Sequence, residues 1–317
     1  VLHHTVTSGG SNPVAEVQAI YYYHAVTRGW GDIGYNYLVD AYGNIYEGRY
    51  GSDDVIGAHT ARWNTNALGV ALLGCYDPDG CSPGQTPSAT ALDSIADLVA
   101  WTASRRLRDP RQATTTTNPY GDPPLTLYRL AGHRDYSQYI DGQPYNATAC
   151  PGDMLYGELA TLRDGAWSRL PDDDARFDGH DTPGRLLPGQ VVTVSLSMRN
   201  AGKVPWTPGE VSLGYRWIDG LGNTVAEEIN AAALSAQVDF ASSQAITAPL
   251  VTAPVTGTLT LRWDLYRSEA GWFADLNPAS EPLDVAVTVI DPASLPHRLF
   301  LPLIITEEDT EETVTGS

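Results

Sequence analysis

His133 and Cys150 bracket the stretch GHRDYSQYIDGQPYNATACPG, and a third candidate ligand, His3, stands near the start of the chain. Two imidazoles and one thiolate form a borderline-soft donor set that suits Zn²⁺. Three protein ligands leave a fourth coordination position for water, which is the pattern of a catalytic rather than a structural zinc. One Zn²⁺ per chain is therefore expected, in a hydrolase that uses a metal to activate water. The three residues are far apart in sequence. A zinc finger, whose ligands come in closely spaced pairs, is excluded, and the fold must gather them.

The elements that do so are legible from periodicity. Residues 1–5 alternate like a strand. Ser11, Asn12 and Pro13 give a helix-start signal, and Val14, Val17, Ala19, Ile20 and Tyr23 lie on one face of the helix that follows to about Val26. Two strands, Tyr35–Val39 and Asn44–Glu47, are predicted around a tight turn at Tyr42-Gly43. The apolar run ALGVALL (67–73) predicts a central strand buried on both faces. Leu92, Ile95, Val99 and Thr102 mark an amphipathic helix over 87–106. Residues 108–124 read as a surface loop, 127–131 as a short strand leading to His133, and 151–168 as a last helix. Alternating strands and helices over residues 1–170 give an α/β domain, a mixed central β-sheet flanked by helices.

Past that point the pattern changes. Residues 171–184 are acidic, with Gly and Pro, and read as a linker. Residues 185–291 show alternating strands only, among them VVTVSLSMRN, VSLGYRW, TLTLRWDLY and LDVAVTVI, the pattern of an all-β sandwich of about 100 residues. Residues 292–317 form a tail whose acidic end, TEEDTEETVTGS, is expected to be disordered. The apolar stretch 297–305 within it is too short to span a bilayer. It reads either as an edge strand or as a sorting or anchoring element.

The chain of 317 residues carries 38 acidic against 19 basic side chains, net −19, and Lys203 is its one lysine. Such a surface repels nucleic-acid phosphates, so nucleic acid is excluded as a partner. No segment is long and apolar enough to be a transmembrane helix. The chain begins abruptly at Val1 without Met, and the expectation is a mature or truncated product whose export signal, if any, has been lost. Cys75 and Cys81 bracket a short loop while Cys150 stands alone. One close pair and one separate thiol fit an exported protein with a small disulfide and a metal-bound cysteine; three reduced thiols in a cytosolic protein are the alternative.

The motifs VLHHT (1–5), GWGDIGYNYLVDAYGNIYEGR (29–49), VIGAHTARWNTNALGVALLG (55–74), AGHRD (131–135) and TACPG (148–152) resemble, in order, those of the peptidoglycan recognition protein family, a branch of the zinc amidases. The resemblance covers residues 1 to about 165. It implies N-acetylmuramoyl-L-alanine amidase activity, with zinc held by His3, His133 and Cys150. It places Tyr35 beside the activated water and Thr148 at a position that helps catalysis. Non-catalytic members usually lose the cysteine, and this chain keeps it. His24 and His59 match positions lining the substrate groove, and Trp30, Arg62 and Asn64 are further candidate substrate contacts. Gly29-Trp30 matches a pair associated with diaminopimelic-acid stem peptides, whose extra carboxylate a guanidinium such as Arg62 is suited to bind. His4, the strand neighbour of His3, points to the opposite face. His180 and His297 read as structural or surface residues. No glutamate stands in a motif position that marks it as the base.

MRNAGKVPWTPGEVSLGYRW and the later GWF resemble the immunoglobulin-like domain first described in autophagy receptors and common in secreted bacterial proteins. Trp206, Trp217, Trp263 and Trp272 are core residues there, or else a glycan-binding aromatic surface. The leading expectation is a monomeric bacterial zinc amidase, secreted or cell-wall associated, acting on peptidoglycan and muropeptides of the diaminopimelic-acid type. The rivals are a non-catalytic peptidoglycan-binding module and a wall-tethered adhesion protein.

Overall fold

The structure, a computed structural model, describes residues 1–295. The 297–305 stretch and the acidic end of the tail lie outside the described residues. The chain divides into two compact units. One is Val1–Arg176 with Arg199–Trp206 and Gln237–Ser243; the other is Phe177–Met198, Thr207–Ala236 and Gln244 onward.

The first unit is built on a four-stranded mixed sheet. Its elements begin with β1 (Leu2–His4), α1 (Pro13–Tyr21), β2 (Tyr37–Val39), β3 (Ile45–Glu47), β4 (Val70–Leu72) and α2 (Ala89–Arg106). β5 (Ala113–Thr116), β6 (Leu125–Tyr128), β7 (Gln138–Ile140), β8 (Gln143–Tyr145), α3 (Asp153–Tyr156) and α4 (Leu159–Ser168) follow. The strand order is β1-β4-β2-β3, with β4 parallel to both neighbours and β2–β3 antiparallel. The ALGVALL run therefore supplies the inner strand β4.

Helices cover both faces. Leu2, Tyr37, Val39, Val70 and Leu72 pack with Ile95 and Leu98 of α2 and Leu159 and Leu162 of α4. Leu38 and Leu73 pack on the other side with Ile20 and Val17 of α1. Successive strand side chains alternate faces. His3, in register with Ala71 and through it with Leu38, thus lies on the α1 side, while His4, in register with Leu72, lies on the α2 side.

Local chemistry sets the helix ends. The Asn12 side chain accepts from Ala15 N with Pro13 in the first turn of α1, and Ser88 caps α2 by accepting from Ala91 N. The single helix expected to run to Val26 is instead α1 followed by a π-helical turn, Tyr22–Thr27. The expected last helix is split into α3 and α4. Residues 108–124, expected as loop, contain β5, which pairs antiparallel with β6. β7 and β8 form a hairpin between His133 and Cys150 that periodicity did not reveal.

The second region is all β. Its elements are β9 (Ala175–His180), β10 (Arg185–Leu186), β11 (Val191–Asn200), β12 (Val211–Ile218), β13 (Thr224–Ala233), β14 (Ser243–Val251), β15 (Gly257–Arg267), β16 (Gly271–Trp272), the single turn α5 (Phe273–Leu276) and β17 (Leu283–Val289). One sheet has the order β10-β17-β15-β12-β13 with β16 paired to β15; the other is β14-β11-β9. Val194, Leu196 and Met198 of β11 alternate inward, as do Leu213, Tyr215 and Trp217 of β12. Trp217 Nε1 donates to Val251 O at 3.0 Å, joining the inner faces of the two sheets. Ala175–His180, inside the stretch expected as a linker, is an outer strand of the smaller sheet. Trp206, Trp217, Trp263 and Trp272 are all buried, so none of them forms an aromatic surface.

Candidate metal centre

Three chain segments bring the candidate ligands together. His3 sits mid-strand in β1 and is 1 % exposed. His133 opens a 3₁₀ turn, His133–Tyr136, that follows residues hydrogen-bonded to β1 through Leu2 N to Ala131 O at 2.8 Å. Cys150 lies just before α3. The GHRD and CPG segments are tied to each other: Arg134 N donates to Cys150 O at 2.9 Å, and Arg134 Nη1 pairs with Asp153 at 2.6 Å. Asp135 accepts from Gly132 N at 2.8 Å and from the Tyr156 hydroxyl at 2.6 Å.

One donor atom from each of His3, His133 and Cys150 falls within 4.8 Å of the others, the one such group of three His, Cys or acidic residues among the described residues. Cys150 Sγ is 3.6 Å from His3 Nδ1 and 3.5 Å from the donating His4 amide. Burial holds His3 well below the usual histidine range, reinforced by the neighbouring His59 and His133, and pushes the Cys150 thiol up to about 12. Protons are thus disfavoured on the imidazoles and charge is disfavoured on the sulfur. A divalent cation supplies the charge that this dry, lone-pair-rich pocket lacks, and the N₂S set is one that Zn²⁺ prefers. The residues fit zinc.

Tyr35 packs against His3 with ring centroids 5.2 Å apart. Burial raises its phenol, with the Cys150 sulfur adding to the shift, so it remains a protonated donor. His24 lies in the π-helical turn, a distortion frequent at functional sites. Its Nδ1 accepts from Gly34 N at 3.2 Å and its ring stacks on Trp30 at 4.8 Å. Burial lowers the His24 pKa, and Arg28 adds to that. Tyr35 and His24 line a cleft of ≈ 320 Å³ with Thr5, Thr7, Ile20 and Tyr23. Trp30 is 40 % exposed and also carries the Arg28 guanidinium on its face.

The other expected residues fall differently. Thr148 is exposed and its hydroxyl accepts from Cys150 N at 3.1 Å, so it shapes the turn that presents the sulfur. His59 is buried against His3 rather than lining open space, with its Nδ1 3.0 Å from His3 Nε2. Asn64 Oδ1 accepts from the amides of His59 and Thr60 at 2.9 and 2.8 Å, which makes it an organiser of that loop. Arg62 is closed in two-pronged fashion on Asp122, with its guanidinium 4.6 Å from the Tyr120 ring centroid and 5.2 Å from that of Tyr145. It is not held open for a substrate carboxylate. Cys75 and Cys81 are joined as a disulfide and Cys150 is free. His4 turns away from the centre and its Nδ1 accepts from Tyr76 N at 3.2 Å.

Asn146, which sequence reasoning missed, approaches His133 Nε2 with its Oδ1 at 3.3 Å. Its residue type was the available hint: asparagine tolerates the left-handed region that tight turns need, and Asn146 does sit there at φ 53°.

The family model described as N-acetylmuramoyl-L-alanine amidase matches residues 1–153. Peptidoglycan-recognition protein SC2 of Drosophila melanogaster is 30% identical over 164 residues, 51% of this chain and 71% of that protein. Peptidoglycan recognition protein 1 of Bos taurus is 32% identical over 160 residues, 49% of this chain and 67% of the relative. The chain belongs to the peptidoglycan recognition protein family. Among solved structures, wild-type Drosophila PGRP-LB aligns with a TM-score of 0.36 and 27% identity over 50% of this chain and 77% of that one. The family match falls on the α/β unit, which holds all three candidate ligands.

Proposed function

We propose that the chain is a zinc-dependent N-acetylmuramoyl-L-alanine amidase, cutting the amide between the lactyl group of muramic acid and L-alanine in peptidoglycan. One observation carries this reading: the donor atoms of His3, His133 and Cys150 converge beside the protonated Tyr35. Bound there, Zn²⁺ supplies Lewis-acid polarisation of the scissile carbonyl and lowers the pKa of water toward about 7.

The chain's own residues supply the rest. Tyr35 donates a hydrogen bond to the oxygen on which negative charge develops, from a site largely closed to water, where such a donor is worth most. His24 accepts the Gly34 amide at Nδ1, so its proton resides on Nε2 and that atom is a donor to substrate. Thr5, Thr7 and Tyr23 add hydroxyls along the same cleft, a lining suited to a glycan-linked peptide. None of the cleft residues is acidic, so proton transfer falls to His24, Tyr35 or solvent.

The substrate class follows from the family, whose members are named for peptidoglycan recognition. A diaminopimelic-acid preference rests on the Gly29-Trp30 pair. Secretion, with or without association to the wall, is the location that such a substrate and the Cys75–Cys81 disulfide favour. Residues 185–291 are proposed to be an immunoglobulin-like spacer or targeting module, on the strength of their two-sheet architecture.

Digestion of purified sacculi with and without a chelator, followed by mass analysis, tests the activity. The expected products are bare glycan strands and peptides beginning with L-alanine, formed only when metal is present. Tight sacculus binding with every glycan–peptide linkage intact would mean a recognition module without catalysis.

A further inference from the structure

Both metal-site histidines have their Nε2 atoms engaged by residues outside the donor set. His3 Nε2 is 3.0 Å from His59 Nδ1, and His133 Nε2 is 3.3 Å from Asn146 Oδ1. The amide oxygen of Asn146 only accepts, so His133 Nε2 carries the proton and Nδ1 keeps the lone pair. His3 Nδ1 faces the Cys150 sulfur, so its lone pair belongs there and Nε2 donates to His59. We propose that His59 and Asn146 are positioning residues that fix the tautomer and ring angle of His3 and His133, so that each imidazole offers Nδ1 to the metal. This rests on the amidase reading of the same site.

Two further features support it. The His59 ring is seated against Gly57 and Gly69, where an added Cβ would come within 2.5 and 2.6 Å of ring carbons. Side chains at either position would displace the imidazole. Asn64 Oδ1 holds the His59 backbone amide, and the Thr60 hydroxyl lies 2.9 Å from the same Nδ1 that faces His3. Asn146 is anchored as firmly: its Nδ2 donates to Ala61 O at 3.0 Å, and its carbonyl accepts from the Ser137 hydroxyl at 2.6 Å. The hairpin between the two ligands thus delivers one acceptor to His133.

The test is zinc affinity of the full chain, measured by competition with a chromophoric chelator, with cobalt(II) spectra as a second readout of ligand geometry. Asn146→Gly accommodates the positive φ but removes the acceptor. His59→Gln keeps polarity but cannot place an acceptor where Nδ1 lies. Each is expected to weaken zinc binding about 10–100-fold, the usual cost of losing an outer partner, and to alter the cobalt spectrum. Asn146→Asp and His59→Asn, which keep an oxygen acceptor in place, should bind close to wild type. Melting of the metal-free proteins separates these effects from loss of fold. Wild-type affinity and spectra in both Asn146→Gly and His59→Gln would overturn the proposal while leaving the amidase reading intact. Failure of the wild-type chain to bind zinc would overturn both. Zinc binding with the expected variant pattern but no amide cleavage would sustain the positioning roles and remove the enzymatic reading alone.

Discussion

Cys150 Sγ faces His3 Nδ1 at 3.6 Å, although the two residues lie 147 positions apart. The contact exists because β1 and the CPG turn meet at the same edge of the sheet, with the His4 amide also directed at the sulfur. Cys150→Ser keeps the size of the side chain and removes the soft donor. Release of L-alanine-initiated peptides should fall to background and zinc content should drop, while the far-ultraviolet dichroism stays that of the wild type. Full activity in this variant would remove the sulfur from the metal site.

Tyr35→Phe removes one hydroxyl from the cleft. A preorganised donor of this kind contributes roughly 10²–10³ in kcat. The expected outcome is a loss of that size in kcat with KM and zinc content nearly unchanged. A change confined to KM would make Tyr35 a binding residue only.

Arg62 is already neutralised by Asp122 and enclosed by Tyr120 and Tyr145. An additional substrate carboxylate would have to compete with that pair. Arg62→Ala should therefore affect lysine-type and diaminopimelic-acid-type muropeptides alike and leave the ratio of their kcat/KM values near that of the wild type. Collapse of the ratio would return Arg62 to the role its sequence motif suggested.

Acid should weaken the metal-free α/β unit. Burial lowers His4 to about 4 and His59 to about 3 from an ordinary 6.5. These are depressed values, so below pH 6.5 the unfolded chain takes up protons that the folded chain refuses. Stability is full above that pH and declines as pH falls, by about 1.4 kcal/mol per pH unit for each histidine. Hydrogen exchange at the amides of β1 and β4 reads this directly. Equal opening free energies there at pH 7 and pH 5 would contradict it.

Asp264 should act in the opposite sense. Burial raises its carboxyl to about 6, against the amides of Leu265 and Ala274 and the nearby Arg216. The stabilising contribution is fully present below the ordinary carboxyl value of 3.8 and is lost as pH rises through about 6. It amounts to about 3 kcal/mol across that window. Asp264→Asn should flatten the corresponding part of the pH profile in denaturant titrations. An unchanged profile would show that Asp264 titrates normally.

The candidate metal ligands were nameable from residue type and motif order, and their donor atoms do lie within 4.8 Å of one another; the inner strand was legible because ALGVALL admits no polar face. The surroundings were less so. The pairing of Arg62 with Asp122 and of His59 with His3 spans some sixty positions and leaves no periodic trace. The β7–β8 hairpin is short, polar and partly exposed, so it lacks the alternation that reveals a buried strand. Ala175–His180 was masked as a strand by the acidic residues and glycine that surround it, a composition shared with true linkers. The π-helical turn at Tyr22–Thr27 differs from an α-helix by one residue of hydrogen-bond spacing, which apolar spacing does not resolve.

Because the proposed ligands are residue 3, residue 133 and residue 150, an ion bound there would staple the first strand of the α/β unit to the turn before α3. Free zinc a thousandfold above its Kd would add about 4 kcal/mol to the folded state. Survival against proteases would then track the free zinc of the surroundings, making endurance as well as turnover a function of the mineral content of the medium.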